Sequence, residues 1–322
     1  MVKLILTLSF FILDFTFSNA QLLAFANGNS GVYNHRKFTT ATNTISQLQN
    51  TEEVENFIHT LDKRYNNFKV DVTLMNFEKK CPDLYNMAKP ESWQTSDIDN
   101  NGSSDFLVIG TVSGAPVIIC VVDTGYNNYV IKKINRRTFE DCSYPTLKTV
   151  NNENVICYYH YNYTNKEEET KPQNTIEIDT LTYKFGDLVE LNSNLQNYKI
   201  EKIECTTTAC FGSCPVFSMT IDVTTGNAQY SGTKFNKRNG QYSTKINENN
   251  LQELIGLLNY TNFPELKDKY AVNWSEDQTS KLIITYDGGK TKTISDYGLL
   301  GTFGLNRVYD LIFKLRENQY WK

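Results

Sequence analysis

Histidine is scarce in this chain: His35, His59 and His160 are the only three in 322 residues, and none follows position 160. The whole second half therefore lacks the side chain that most often serves as general base or metal ligand. Also missing are a Gly-x-Ser-x-Gly elbow, a phosphate-cradling glycine loop, a His-Glu-x-x-His helix and a dinucleotide fingerprint. Triad hydrolysis, nucleotide chemistry and zinc proteolysis have no support, and Glu265, Asp268, Glu276 and Asp277 read as solvated loop acids rather than a glycosidase pair. On this evidence the chain is more a non-enzyme than an enzyme. An excess of one charge is lacking too. Lys plus Arg number 32 and Asp plus Glu 36, a net charge of −4, so nothing drives broad binding to nucleic acid or anionic membrane. No long apolar run follows the N-terminus, which predicts no transmembrane segment once a leader is cleaved.

What the N-terminus does carry is leader-like. Lys3 precedes the apolar stretch Leu4 to Leu13, and Ser18-Asn19-Ala20 offers small residues for cleavage, with Asp14 an awkward charge between them. Residues 1–20 are predicted to be a signal peptide and the mature chain to be secreted, periplasmic or part of the cell envelope. Seven cysteines fit an oxidising compartment, and the odd number leaves at least one outside any intrachain bridge. Cys120 and Cys157 sit in strand-like apolar runs, where cysteine behaves as a small hydrophobe. Cys81 beside Pro82 and Cys142 in Asp141-Cys-Ser143 stand in loop-like settings that suit a bridge.

Residues 21–50, rich in Asn, Thr, Ser and Gln, predict a polar tether. Val54, Phe57, Ile58 and Leu61 then recur at helical spacing over Glu52 to Tyr65, with Thr51 as cap. From Phe68 the period changes to two through Val70, Val72 and Leu74. Strands are predicted at Phe106 to Gly110, Pro116 to Val122, Tyr129 to Ile134, Asn154 to Tyr161, Thr175 to Ile178 and Leu181 to Lys184, with a solvated charged insert at 165–171. The Asn-rich stretch Leu191 to Tyr198 marks a boundary. Beyond it, Phe217, Met219, Ile221 and Val223 alternate up to a Thr225-Gly226 turn, and Asn250 and Glu253 cap a helix striped by Leu251, Leu254, Ile255 and Leu258. A hairpin folds across Asp287-Gly-Gly-Lys290, and a last helix carries Leu305, Val308, Tyr309, Ile312 and Phe313. The predicted class is α+β in two domains: a β-rich one with a leading helix over 51–190, and an antiparallel sheet with two packed helices over 199–322.

The run Cys210-Phe-Gly-Ser-Cys214-Pro-Val-Phe, the Gly226 hairpin, the helix from Leu251, Phe263-Pro-Glu-Leu266 with Tyr270, and Asp277 before a Thr-rich hairpin together resemble one family. It is the domain of unknown function 6438, and the likeness spans about Ile200 to Arg316. The resemblance implies an exported protein of Bacteroidota-type bacteria and no established activity. Cys205 and the Gly301-Thr-Phe-Gly304 approach to the last helix are not assigned to that pattern.

Two local sites stand out. Asp97-Ile-Asp99-Asn-Asn101-Gly102-Ser-Ser-Asp105 places oxygen side chains at the first, third, fifth and ninth positions and glycine at the sixth, just before an apolar run. Hard cations need alternating short oxygen donors and a sharp turn, so Asp97, Asp99, Asn101 and Asp105 are the predicted ligands of a structural calcium ion. Val108 holds the twelfth place, where a helix-loop-helix calcium site needs glutamate. The loop resembles those of integrin-type and VCBS-type propeller repeats. It occurs once, with Asp123-Thr-Gly125 too degenerate to count, which argues against a full propeller. In the second site Cys210 and Cys214 lie four apart, close enough for a structural disulfide, with Cys205 an alternative partner for either. The predicted role is a non-catalytic binding or envelope module that meets an envelope protein or glycan. The alternative is a thiol-redox or copper-handling factor built on the Cys205 to Cys214 cluster.

Overall fold

Long apolar runs and strictly alternating runs occupy different parts of this chain, and the fold follows that division. The computed structural model describes residues 45–136, 142–161 and 175–322. The predicted signal peptide, the tether up to residue 44, His35 and the charged insert at 165–171 lie outside the described residues.

The first sheet contains β1 (Phe68–Val70), β2 (Trp93–Ser96), β3 (Asp105–Val112), β4 (Ala115–Asp123) and β5 (Tyr129–Lys133). Its order is β1-β3-β4-β5, and β2 pairs with the part of β3 that β1 leaves free. The second sheet is the antiparallel meander β6 (Ser143–Val150), β7 (Glu153–Tyr161), β8 (Ile176–Lys184) and β9 (Asp187–Glu190). β3 and β4 are apolar over 106–110 and 117–122 because both their faces are covered there. One face meets Val54, Phe57 and Ile58 of helix α1 (Thr51–Leu61) through Phe106, Val108, Ile119 and Val121. The other, through Leu107, Ile109, Ile118, Cys120 and Val122, packs on Ile156, Tyr158 and Leu181 of the second sheet. The far face of that sheet is closed by Leu84 and Ala88 of α3 (Pro82–Ala88) against Tyr144, Val155, Cys157 and Tyr159. Each fully buried Leu, Ile or Phe in these layers contributes about 1.5–3 kcal/mol.

The third sheet has seven strands: β10 (Ile200–Thr207), β11 (Val216–Asp222), β12 (Asn227–Lys234), β13 (Gly240–Lys245), β14 (Lys269–Ala271), β15 (Thr279–Tyr286) and β16 (Lys290–Tyr297). The order is β13-β12-β11-β10-β15-β16-β14, antiparallel except for the β14–β16 pair. Its strands alternate buried and solvated residues, since helices α4 (Glu248–Tyr260) and α5 (Phe303–Asn318) cover one face only. The class is α+β, mostly sheet. The described residues belong to one compact unit, and α5 joins its parts. Phe303 packs edge-on against Tyr158 of β7 with ring centroids 5.9 Å apart, and Arg136 lies over the Phe303 ring at 4.5 Å. The link at 191–198 is itself tied down: Asn192 Nδ2 donates to the Tyr260 carbonyl at 2.6 Å and the Tyr198 N–H to Asn259 Oδ1 at 2.8 Å.

Several local expectations are corrected. Residues 45–50 are not tether, because Ile45 and Leu48 are buried in the cluster under α1. The cap of α1 is Asn50, whose Oδ1 accepts the Glu53 N–H at 3.0 Å while Glu53 returns a bond to the Gln49 N–H; Thr51 is the first helical residue. The helix stops at Leu61, since Asp62 is extended and starts a separate 3-10 turn at Lys63–Tyr65. The strand expected to run through Leu74 ends at Val70. Asp71 Oδ1 accepts the N–H groups of Thr73 and Leu74, Leu74 turns to φ 48°, and the chain continues into α2 (Met75–Lys80) and α3. β8 is one strand rather than two. Helix α4 is capped by Asn247, and Glu253 instead pairs with Arg307 of α5 at 3.0 Å.

Candidate metal centre

The acidic loop spans 97–104 between β2 and β3, whose last shared register pair is Ser96 opposite Asp105. Eight residues must therefore leave and return across one strand spacing. They do so through left-handed backbone at Asn100 (φ 59°) and Gly102 (φ 89°), the second being the turn for which glycine is needed. Asp97 accepts the N–H groups of Asn101 and Gly102 at 3.0 and 2.9 Å, and Asn101 Oδ1 accepts that of Ser103 at 2.7 Å. The backbone thus wraps around its own carboxylates.

Asp105 is the anchor. It is fully buried; its Oδ2 accepts the N–H groups of Ile98 (2.6 Å) and Asp99 (3.2 Å), and its Oδ1 accepts the N–H of Asp123 (2.9 Å) at the end of β4. One carboxylate fixes both ends of the loop and the neighbouring strand. Asp97, Asp99 and Asp105 each present an oxygen, and the three oxygens lie within 4.8 Å of one another. Burial, reinforced by the Asp99 charge and opposed by the three N–H donors, raises the Asp105 pKa to about 7. Burial also lifts Asp99 to about 6, with the charges of Asp97 and Asp123 adding to the effect and the Asn101 N–H opposing it. Three carboxylates this close repel one another unless a cation or protons sit among them.

Of the four predicted ligands the structure gathers Asp97, Asp99 and Asp105. Asn101 lies at their edge, its Nδ2 donating to Asp99 Oδ2 at 3.0 Å and to the Asp123 carbonyl at 2.6 Å, so it frames the loop. Two supporting residues escaped the sequence reading. Asp123 holds Asp105 and Asn101 through its backbone, and Asn154 of β7 donates to the Asp97 carbonyl at 2.9 Å, linking the loop to the second sheet. Asp123 could have been suspected from the Asp-Thr-Gly turn; Asn154 had no local signal.

The thiol cluster divides. Cys210 and Cys214 form a disulfide with Cα atoms 5.7 Å apart, a ring at the lead-in to β11 with Phe211 exposed at its tip and its N–H bonded to the Glu276 carbonyl at 2.9 Å. Cys81 and Cys142 form a second, with Cα atoms 6.0 Å apart, pinning α3 to the start of β6. Cys205 is neither's partner. It faces the core from β10, its Sγ 3.5 Å from Ser280 Oγ, and burial pushes its thiol up to about 11. Cys120 and Cys157 are likewise buried thiols. The two histidines among the described residues make structural contacts: His59 Nε2 lies 2.9 Å from the Phe68 carbonyl and His160 Nε2 3.1 Å from Asp179. Of the loop acids set aside as a glycosidase pair, Asp268 pairs with Lys292 and Asp277 accepts the Trp274 indole N–H.

The seven-stranded sheet, the Cys210–Cys214 ring and the two helices above them coincide with a region that is similar to a known family. Residues 201–316 match the family described as Domain of unknown function (DUF6438). The match runs from β10 into α5 and covers the sheet-and-helix layer, and the acidic loop lies outside it. No curated protein and no solved structure matches the chain. No helix among the described residues is long and apolar enough to cross a membrane.

Proposed function

We propose that this chain is an exported, non-catalytic binding or envelope-associated module whose β-rich half is locked by one structural calcium ion. The observation that carries this reading is the convergence of Asp97, Asp99 and Asp105 on one point, with Asp105 buried and both its oxygens tied to backbone N–H groups. All three donors are hard oxygens, the chemistry calcium prefers, and none is a sulfur or imidazole that would favour a softer ion. Calcium bound there would neutralise the mutual repulsion of the carboxylates. The ion would then lock the β2–β3 loop to β4 through Asp105 and to β7 through Asn154. Export is supported by the leader-like N-terminus and by two disulfides in a chain of this size. The competing thiol-redox or copper reading is weakened by Cys205, which points into the core rather than toward the Cys210–Cys214 ring.

Calorimetric titration and thermal unfolding of the full chain, with calcium and with chelator, test the proposal. Binding should raise stability by about 2.7 kcal/mol at a calcium concentration a hundred times Kd, and Asp99→Asn should abolish the gain. Absence of both binding heat and a melting shift in the parent would reject it. The partner class, an envelope protein or glycan, is tested by capture from the envelope fraction with calcium present and then chelated; release on chelation is the expected result.

A further inference from the structure

One edge of the seven-stranded sheet is closed by a segment that is not itself a strand. β13 is the outermost strand on its side, laddered to β12. The row of backbone N–H and C=O groups on such an edge is a template for another chain. Residues 319–322, which follow α5, lie along it. The Ser243 N–H donates to the Lys322 carbonyl at 2.9 Å and the Lys322 N–H to the Ser243 carbonyl at 3.0 Å, the double exchange of an antiparallel ladder. Thr244 Oγ1 donates to the Tyr320 carbonyl at 2.8 Å. Tyr320 turns outward at 79 % exposure and Trp321 inward at 7 %. The Trp321 ring lies 5.3 Å from that of Tyr230, and its indole N–H donates to the Leu315 carbonyl at 3.2 Å. Gln319 Oε1 accepts the N–H of Asn247, the cap of α4, at 2.9 Å.

The seat and its occupant differ in origin. Tyr230, Ser243, Asn247 and Leu315 all fall within residues 201–316, the span that matches DUF6438, whereas residues 319–322 fall outside it. The occupant is held as peptides are held on sheet edges. Backbone hydrogen bonds supply affinity for any sequence, and one large side chain in a pocket selects among sequences. We infer that the β13 edge is a strand-addition site for an extended peptide segment of a partner protein, recognised by an aromatic side chain in the Trp321 seat, with residues 319–322 occupying it in cis. A peptide is the fitting partner because its backbone carries the donor and the acceptor that Ser243 pairs with on one residue. The cis segment is covalently attached and competes at high effective concentration, so the site stays closed until Trp321 is withdrawn. Strand alternation also turns the N–H and C=O of Gln241 to the same side as those of Ser243. An incoming strand that runs past the position of Lys322 reaches Gln241 as well, a hold that these four residues do not have.

The test uses the full chain and a fluorescein-labelled peptide with the sequence of residues 318–322, with binding read by fluorescence polarisation and the edge read by hydrogen exchange at the Ser243 N–H. Trp321→Gly should speed that exchange about thirtyfold, the usual cost of removing an aromatic anchor. The peptide should bind Trp321→Gly at least about tenfold tighter than the parent, whose own segment competes, and should restore the protection of Ser243. A peptide carrying Trp321→Ser should do neither. Failure of the peptide to bind the variant, or equal binding to parent and variant, would overturn the inference. Should Trp321→Gly not fold, as judged by near-ultraviolet circular dichroism, the parent decides alone. Exchange at Ser243 well ahead of the N–H groups of β11 supports a segment that opens separately, and exchange of both only in global unfolding rejects it.

Discussion

Glu190 is the side chain on which the junction between the second sheet and α5 most depends. Its carboxylate reaches from the end of β9 to the first turn of α5, Oε1 accepting the Phe303 N–H at 2.5 Å and Oε2 the Gly304 N–H at 2.8 Å. These N–H groups have no intrahelical acceptor, and the positive end of the helix favours an anion there. Two hydrogen bonds to a charged acceptor are worth about 1.5–3 kcal/mol each, and the helix terminus adds about 0.3–1 kcal/mol. Against this stands the cost of burying the carboxylate, which raises the Glu190 pKa. The net loss expected for Glu190→Ala is about 3 kcal/mol, and for Glu190→Gln, which keeps one acceptor, about half of that.

The assay is urea unfolding of the full chain followed by circular dichroism, paired with hydrogen exchange at residues 303–306. Exchange should accelerate there before it does elsewhere in α5. The Thr302 cap remains in both variants, its Oγ1 accepting the Leu305 N–H at 3.0 Å, so the helix as such should persist. If Glu190→Ala stays within about 0.5 kcal/mol of the parent, the level of an ordinary surface change, the carboxylate is not holding the junction.

Asp296 makes stability depend on pH. Burial raises its pKa from 3.8 to about 6, against the pull of the Gly301 N–H and Arg136, so the folded state keeps a proton that the unfolded state gives up. Stability relative to Asp296→Asn should be greatest below about pH 4 and fall between about pH 4 and 6 by up to about 3 kcal/mol; a flat difference across that range would contradict the assignment. The disulfides should rank by the loop they close. Replacing Cys81 and Cys142, separated by 61 residues, should cost roughly 4 kcal/mol, and replacing Cys210 and Cys214, separated by four, roughly 2 kcal/mol. The reverse order in denaturant midpoints would show that the small ring has a local role beyond chain entropy. Asn154→Ala should weaken calcium binding, read by titration, without removing it, because it deletes a support and not a donor. An unchanged affinity would mean that the loop holds its shape without β7.

Much of the fold was legible because the two kinds of strand declare themselves. Phe217, Met219 and Ile221 alternate with polar residues and form a one-sided sheet, while the apolar run around Ile118 to Val122 belongs to a strand covered on both faces. What failed was local competition. Asp71 offers its side chain to two backbone N–H groups and ends a strand that alternation alone would extend through Leu74. At α4 the cap is Asn247, whose Oδ1 accepts the Asn249 N–H, and Glu253 is drawn across to Arg307, a partner 54 residues away that no local pattern reveals. The same distance rule divides the thiols: Cys210 and Cys214 were readable from spacing, but the orientation of Cys205 is set by its register on β10, opposite Leu282 of β15.

The acidic loop and the corresponding turn of the second sheet close in different ways. β2 to β5 and β6 to β9 are both four-stranded antiparallel meanders, one packed on the other. Where the first meander turns from β2 to β3 through eight residues and three converging carboxylates, the second turns from β6 to β7 at Asn151 and Asn152, both in left-handed conformation at φ 50° and 64°. A two-residue turn closes by backbone geometry alone. The longer loop has no such closure and must be held from within, by Asp105 beneath it and by Asn154, which follows the short turn of its own neighbour. One anchored turn thereby ties both sheets together, through Asp105 on the first and Asn154 on the second.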